Sequence, residues 1–344
     1  MDEAKRMKLD PACSFHPILP DELTEDTPLT EIYYATISDV KNTSKIIVKL
    51  NDILPIPNLT HLKRMNKGKV LLLPILAAPC NKVLNILKEK NFDVSTLEDD
   101  IRIAKVAKIP PRTKKQYEKV TKLWPCNFHP NKYLEKLVTN TLFSQKELNL
   151  HMKFMELAID VAKYGKDKST EKQQVGVVIV DPKIESVVAV GYSCRNEGPT
   201  RHAVMVAIDN VAKTQTGGTW SKADPEKFKD GLDINGFPTE EMLDHIKETY
   251  TDLRFGATIF KRKGDLEQPS DGPYLCTGYQ VYATREPCVM CAMALVHSRA
   301  FRVFYGTSSE NGGLETLCKV HTVQDLNHHY EVFAGLLGEE CLTL

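Results

Sequence analysis

Apolar positions along the chain alternate between two textures, short β-branched runs and stretches at helical spacing. Ile32–Ile37 reads as a strand. Ile46, Leu50 and Ile53 then recur at the spacing of one helix face, with Asp39 as a plausible N-cap, although the run Ile46-Ile47-Val48 also suits a strand. Lys69–Ile75 predicts a buried strand, Asn81–Lys90 a helix with Val83, Ile86 and Leu87 inward, and Ile101–Val106 another strand. This β-α-β-α-β order predicts an α+β domain over residues 31–108.

Residues 1–30 carry Pro11, Pro17, Pro20 and Pro28 among acidic residues and predict a poorly ordered or draped arm. A second domain is expected over 146–344. It opens with a helix at Leu148–Tyr164, where Met152, Met155, Ile159 and Ala162 share a face. Strands follow at Val175–Val180 and Val187–Tyr192, then a helix at His202–Lys213. Residues 214–271 are rich in Gly, Pro and acids, twelve acidic against eight basic, and read as an insertion or long loop. Regular pattern resumes with a strand at Tyr279–Thr284, a helix from Cys288 and a strand at Phe301–Tyr305. The fold class is α/β.

With 344 residues, 45 Lys+Arg and 45 Asp+Glu, the chain has zero formal net charge, which taken alone disfavours a nucleic-acid partner. The average conceals a block. Arg102, Lys105, Lys108, Arg112, Lys114, Lys115, Lys119 and Lys122 face a single acid, Glu118, within one short tract. The tract reads either as a solvated linker face or as a phosphate-binding stripe, with Tyr117 and Trp124 as possible stacking groups. Pro110-Pro111 within it suggests a basic linker over 109–145.

Nine cysteines, an odd number, follow a start with no apolar core of signal-peptide type. Reduced thiols are therefore expected, and metal ligation is favoured over disulfides. Val70–Ala78 is too short to span a bilayer and contains Pro74, so no membrane association is expected and the location is read as intracellular, nucleus and/or cytoplasm.

His202 stands at one predicted helix start and Cys288 and Cys291 at another. A C-x-x-C at a helix start puts both sulfurs on one face, where the helix dipole favours thiolate. Two buried apolar cysteines, or a redox pair, would look the same in isolation. Adding His202 gives three donors and an open fourth position, the pattern of catalytic zinc sites. An H-A-x on one helix with P-C-x-x-C on a later one is close to the zinc-deaminase signature.

The text RHAVMVAID, then YQVYATREPCVMCAMALVHSRAFRVFYG, then LNHHYEVFAG resembles the cytidine-deaminase superfamily on its tRNA adenosine deaminase branch, from about residue 148 to the end. The resemblance implies a mixed sheet sandwiched by helices, with His202, Cys288 and Cys291 holding Zn2+. It departs in the long interval between His202 and Cys288, which compact relatives lack, and at one position that decides the chemistry. The family's H-A-E places a proton-shuttling glutamate two residues after the histidine, and here that residue is Val204. Deamination needs a proton delivered to the ring and to the leaving amine, which an isopropyl group cannot do. Glu197, in a loop before Pro199, and Asp209, about two turns past His202, are not obvious substitutes.

H-A-V beside an intact P-C-V-M-C resembles the non-catalytic subunits of heterodimeric tRNA adenosine deaminases of eukaryotes, which form inosine at the wobble position. That implies a catalytic partner bearing H-A-E, and it makes the N-terminal domain and the basic tract a tRNA-binding region. The other readings are an active deaminase with an unconventional acid and a stand-alone RNA-binding zinc protein. Arg285 and Glu286 are expected to shape the pocket or to pair at a strand end; His297 and Arg299 to complement a helix C-terminus. His328-His329 should not share a metal, since neighbours in a strand point to opposite faces. The tail, with Cys341 and the terminal carboxylate, is a candidate for the open metal position.

Overall fold

The computed structural model describes residues 15–38, 40–166, 174–229, 231–259 and 272–344. The expected cap at Asp39 lies outside them, as do residues 1–14 of the expected arm and residues 230 and 260–271 of the expected insertion. The chain divides into two compact units, one of residues 20–142, the other joining residues 15–19 to 143–344.

The second unit begins with a short strand, β1 (His16–Pro17). The chain then enters the first unit through α1 (Asp21–Thr24) and β2 (Leu29–Thr36), followed by α2 (Thr43–Ile53), β3 (Met65–Asn66), β4 (Lys69–Pro74), α3 (Cys80–Glu89) and β5 (Arg102–Ala107). The strands form a sheet of order β3-β4-β2-β5 in which every pairing is antiparallel. On one face Tyr33, Ala35, Val70 and Leu72 pack with Ile46 and Leu50 of α2 and Val83 and Leu87 of α3. Removing such side chains from water contributes roughly 1.5–3 kcal/mol each.

The other face corrects the linker expected at 109–145. That tract forms α4 (Lys114–Val120) and α5 (Lys132–Val138) within this unit. Ile32, Leu71 and Val106 are covered by Val120, Trp124 and Cys126. Thr113 and Gln116 form a reciprocal capping box at the start of α4. The Gln116 side-chain amide also donates to the carbonyls of Glu22 and Glu25, each at 2.8 Å. Residues in this part of the expected arm are therefore pinned. The lysines obscured a stripe of Tyr117, Val120 and Trp124 at helical spacing.

The second unit resumes with α6 (Gln145–Lys166), β6 (Gly176–Asp181), β7 (Ser186–Tyr192) and α7 (Ala203–Thr214). Next come β8 (Phe228–Lys229), β9 (Leu232–Asp233), α8 (Glu240–Thr249), β10 (Arg254–Phe255) and β11 (Ala257–Thr258). The chain closes with β12 (Gln280–Arg285), α9 (Val289–His297), β13 (Arg302–Thr307), β14 (Glu331–Ala334) and α10 (Gly338–Leu342). The main sheet has the order β1-β14-β13-β12-β6-β7-β10. Pairings β14–β13, β13–β12 and β7–β10 are parallel and the rest antiparallel, so the sheet is mixed.

Alternation along the strands assigns the two faces. Val177, Ile179, Val281, Ala283 and Val303 pack under α7 and α9. Tyr282, Phe304 and Phe333 point the other way and stack with Phe15, Phe143, His151 and Phe154. Residues 214–271 are more structured than the expected loop. Thr239 caps α8, which buries Met242, Leu243 and Ile246, and β10 adds an edge strand to the main sheet. Among the described residues, no helix is long and apolar enough to cross a membrane.

Candidate metal centre

Three donors converge where two helices begin. His202 is the residue before α7, in extended conformation (φ −67°, ψ 152°), and Cys288 holds the same position before α9 (φ −66°, ψ 169°). Cys291 follows in the first turn of α9. The ligand atoms of His202, Cys288 and Cys291 lie within 4.8 Å of one another, with His202 Nδ1 3.5 Å from Cys288 Sγ. Tetrahedral zinc with bonds of about 2.0–2.1 Å to nitrogen and about 2.3 Å to sulfur places two such atoms about 3.6 Å apart. The donor set and spacing fit that ion, with three protein donors grouped among the described residues.

The sulfurs are prepared for a cation. Cys291 donates to Cys288 from both its thiol and its backbone N–H, and the His202 ring adds to this, so the Cys288 thiol ionises well below the usual thiol range despite partial burial. Cys291, deeper and beside that sulfur, is shifted upward as its proton is shared with Cys288. The Met205 backbone amide, in the first turn of α7, is aimed at the Cys291 sulfur.

Glu286 fixes the approach to the first cysteine. Its buried carboxylate accepts from the backbone amides of Ser309 (3.2 Å), Leu314 (3.0 Å), Glu315 (2.8 Å) and Thr316 (3.1 Å), and from the Thr316 hydroxyl at 2.5 Å. Gly312 is required here, because a Cβ would lie 2.0 Å from the Glu286 carboxyl carbon. The same loop bonds Gly313 N–H to the Pro287 carbonyl at 2.8 Å and bridges Gly312 to Cys288. Sequence reasoning missed this brace, though Asn311-Gly312-Gly313 signals a tight loop.

A cleft of about 340 Å³ opens over the donors, lined by Val175, Ser193, Arg195, Val204, Arg285 and Asn311 among others. Val204 is buried in its wall. Glu286 is the one carboxylate among the described lining residues, and it is saturated by donors. Glu197 is paired with Arg201 instead, while Asp209 accepts from Thr219 N–H at 2.5 Å and faces Lys213 at 3.6 Å. Neither lines the cleft.

Residues 148–307 match the family described as the cytidine and deoxycytidylate deaminase zinc-binding region, and residues 30–124 match the tRNA-specific adenosine deaminase TAD3 N-terminal domain. A probable inactive tRNA-specific adenosine deaminase-like protein 3 of Danio rerio is 35% identical over 99% of this chain and 98% of its own length. The human protein of the same description is 34% identical over 95% and 91%. The TAD3 subunit of the tRNA-specific adenosine deaminase of Saccharomyces cerevisiae is 28% identical over 71% and 61%. This chain belongs to the TAD3 family. Each half of the family's pattern thus falls on its own structural unit.

In this TAD3-family chain the expected tRNA-contacting residues are all exposed, on β5, α4 and the segments joining and following them. Arg102 pairs with Asp100, Arg112 with Glu22 at 3.0 Å, Lys114 with Glu118 at 3.9 Å, and Lys119 with Asp26. Lys105, Lys108, Lys115 and Lys122 pair with no described carboxylate. The stacking roles expected for Tyr117 and Trp124 are not met. Trp124 is buried with its indole N–H on the Lys63 carbonyl at 2.7 Å, and Tyr117 stacks on Phe128 at 4.8 Å.

Three smaller expectations also resolve. His328 bonds the Ala300 carbonyl at 2.7 Å and His329 the His321 carbonyl at 3.1 Å, so they share no metal. Arg285 and Glu286 do not pair, since Glu286 turns to its loop. Cys341 of the tail is not at the donors. Cys341 lies in α10 against β13, its sulfur occupying the space that a Cβ on Gly306 would fill. The eight described cysteines are all free thiols.

Proposed function

We propose that this chain is the non-catalytic, zinc-binding subunit of a tRNA adenosine deaminase that forms inosine at the wobble position. In this reading His202, Cys288 and Cys291 hold the ion, which secures the packing of α7 against α9. A separate subunit carrying the glutamate that Val204 lacks performs the chemistry. The names of the relatives, inactive proteins and deaminase subunits, support the reading. The basic tract of the first unit takes tRNA, through lysines on β5, α4 and nearby segments that pair with no described carboxylate.

The observation that carries the proposal is the state of the cleft. Zinc can acidify a bound water, but the remaining proton transfers need a side chain that gains and loses a proton at the base, a contribution of typically 10²–10⁴-fold. Val204 occupies the expected position and Glu286 is consumed by five donors. An active deaminase with an unconventional acid is disfavoured because Glu197 and Asp209 are committed elsewhere.

Co-expression with an H-A-E-bearing subunit tests the assembly. The two chains should purify together with zinc in both, and Met290→Asp should separate them. Val289 and Met290 are 40% and 38% exposed on α9, beside the metal ligands, where the partner is expected to sit. Two chains that elute apart without any variant would overturn the proposal.

A further inference from the structure

The Glu286 carboxylate is buried two residues before Cys288 and pairs with no described cation. A charge buried in this way has to be answered by hydrogen-bond donors. All five come from one loop, residues 309–316, and they are divided by oxygen. Oε1 accepts from three consecutive amides, Leu314, Glu315 and Thr316, while Oε2 accepts from Ser309 N–H and the Thr316 hydroxyl. Successive amides turned onto one oxygen form an anion-binding nest, and the anion here is the chain's own side chain. The next two residues hold the same loop. The Pro287 carbonyl accepts from Gly313 N–H at 2.8 Å, and Cys288 bridges Gly312. Gly313 then packs on the first turn of α9, where a Cβ would lie 2.7 Å from Val289 Cα. Upstream, Glu286 N–H donates to the Thr307 carbonyl of β13 at 2.7 Å. Cys288 precedes α9 in extended backbone, so the helix ladder reaches it through its carbonyl, which accepts from Ala292 N–H at 2.8 Å. Its other side is held by the loop.

We propose that Glu286 is a positioning residue of the metal centre: by folding residues 309–316 about its carboxylate it sets the Cys288 sulfur for coordination, and metal occupancy and the order of that loop form one equilibrium. The inference rests on the reading of His202, Cys288 and Cys291 as a metal centre in a non-catalytic chain, and it names what holds that centre in shape. With both oxygens taken, Glu286 offers the ion nothing directly and acts through the backbone of Pro287 and Cys288. Groups that orient metal ligands from behind are typically worth about 10–100-fold in metal affinity. The coupling is reciprocal: a nest that tightens zinc binding is tightened by zinc to the same factor.

The test is competition of the zinc-loaded full-length chain against a chromophoric chelator, with melting temperature measured on the same samples. Glu286→Gln turns an acceptor into a donor that faces other donors. Gly312→Ala keeps the charge but puts a methyl group 2.0 Å from the carboxyl carbon, where the two cannot coexist. Both variants should lose zinc affinity by about tenfold or more, and Co2+ in the same site should show weaker thiolate charge-transfer bands. Val211→Ala, a core truncation near the far end of α7, measures plain destabilisation. It should lower the melting temperature and leave zinc affinity where it was. A loss in Glu286→Gln alone would assign the effect to charge rather than placement and overturn the inference, as would losses no greater than in Val211→Ala. Should neither variant fold, hydrogen exchange in the parent chain decides. Chelating its zinc should release the amides of Leu314, Glu315 and Thr316 sooner than those of Val178 and Val190 in the main sheet, and equal release overturns the coupling. A chain that binds no zinc at all overturns the metal reading and this inference with it.

Discussion

On the proposed reading one side chain, Val204, separates this site from a working deaminase, and the carboxylates nearest to it in sequence do not replace the glutamate. Val204 sits in the wall of a cleft that keeps its three donors, and the nearest carboxylates are bound elsewhere. The three candidate donors were legible in the sequence because a metal site constrains both residue type and placement at helix starts. The brace at Glu286 was not, since four of its five donors are backbone amides of a distant loop, and Asn311-Gly312-Gly313 signals a turn without saying what it holds. Cys288→Ser or Cys291→Ser should abolish zinc binding and lower the melting temperature, because metal binding and folding are coupled. Metal analysis and calorimetry check this; full metal content in either variant would contradict it. Val204→Glu should keep its zinc, measured in the same way, since the site already has the polar opening that the family uses.

Among the elements, the helices and strands with clean periodicity were readable, and those whose apolar stripe was diluted by charge were not. Tyr117, Val120 and Trp124 close a sheet face from a tract whose lysines suggested a linker. Strand β1 escaped notice because two residues carry no periodicity, and its place is set by pairing with β14. The aromatic layer behind the main sheet makes a pH prediction. Burial lowers His151 to about 4, with Arg302 adding to the effect, and lowers His321 to about 4 in the same unit. Folded-state values below the unfolded value of about 6.5 mean that the stability is present at neutral pH and is lost as pH falls from about 6.5 towards 4. His151→Gln should therefore show a shallower loss of urea stability between pH 7 and 5 than the parent chain, by up to about one proton in slope. Parallel losses would exclude the buried imidazole as a cause.

For the molecule as a whole, zero net charge proved to be a sum over unlike surfaces. Lys105, Lys115 and Lys122 lack described carboxylate partners, so their replacement by alanine should weaken tRNA binding. The slope of log affinity against log salt should flatten by up to about one per lysine. An unchanged slope in filter binding would return the tract to a solvated surface. The connectivity also matters, because residues 15–19 belong to the unit that resumes at residue 143. A fragment starting at 146 lacks Phe15, β1 and Phe143, and should unfold at lower temperature than the same unit in the intact chain. The division of labour between two subunits is tested most directly by inosine formation in tRNA with this chain alone, with an H-A-E-bearing subunit alone, and with both. No turnover is expected from this chain alone, and the mixture should give a rate well above that of the other subunit by itself. Turnover by this chain alone, or no gain on mixing, would contradict it.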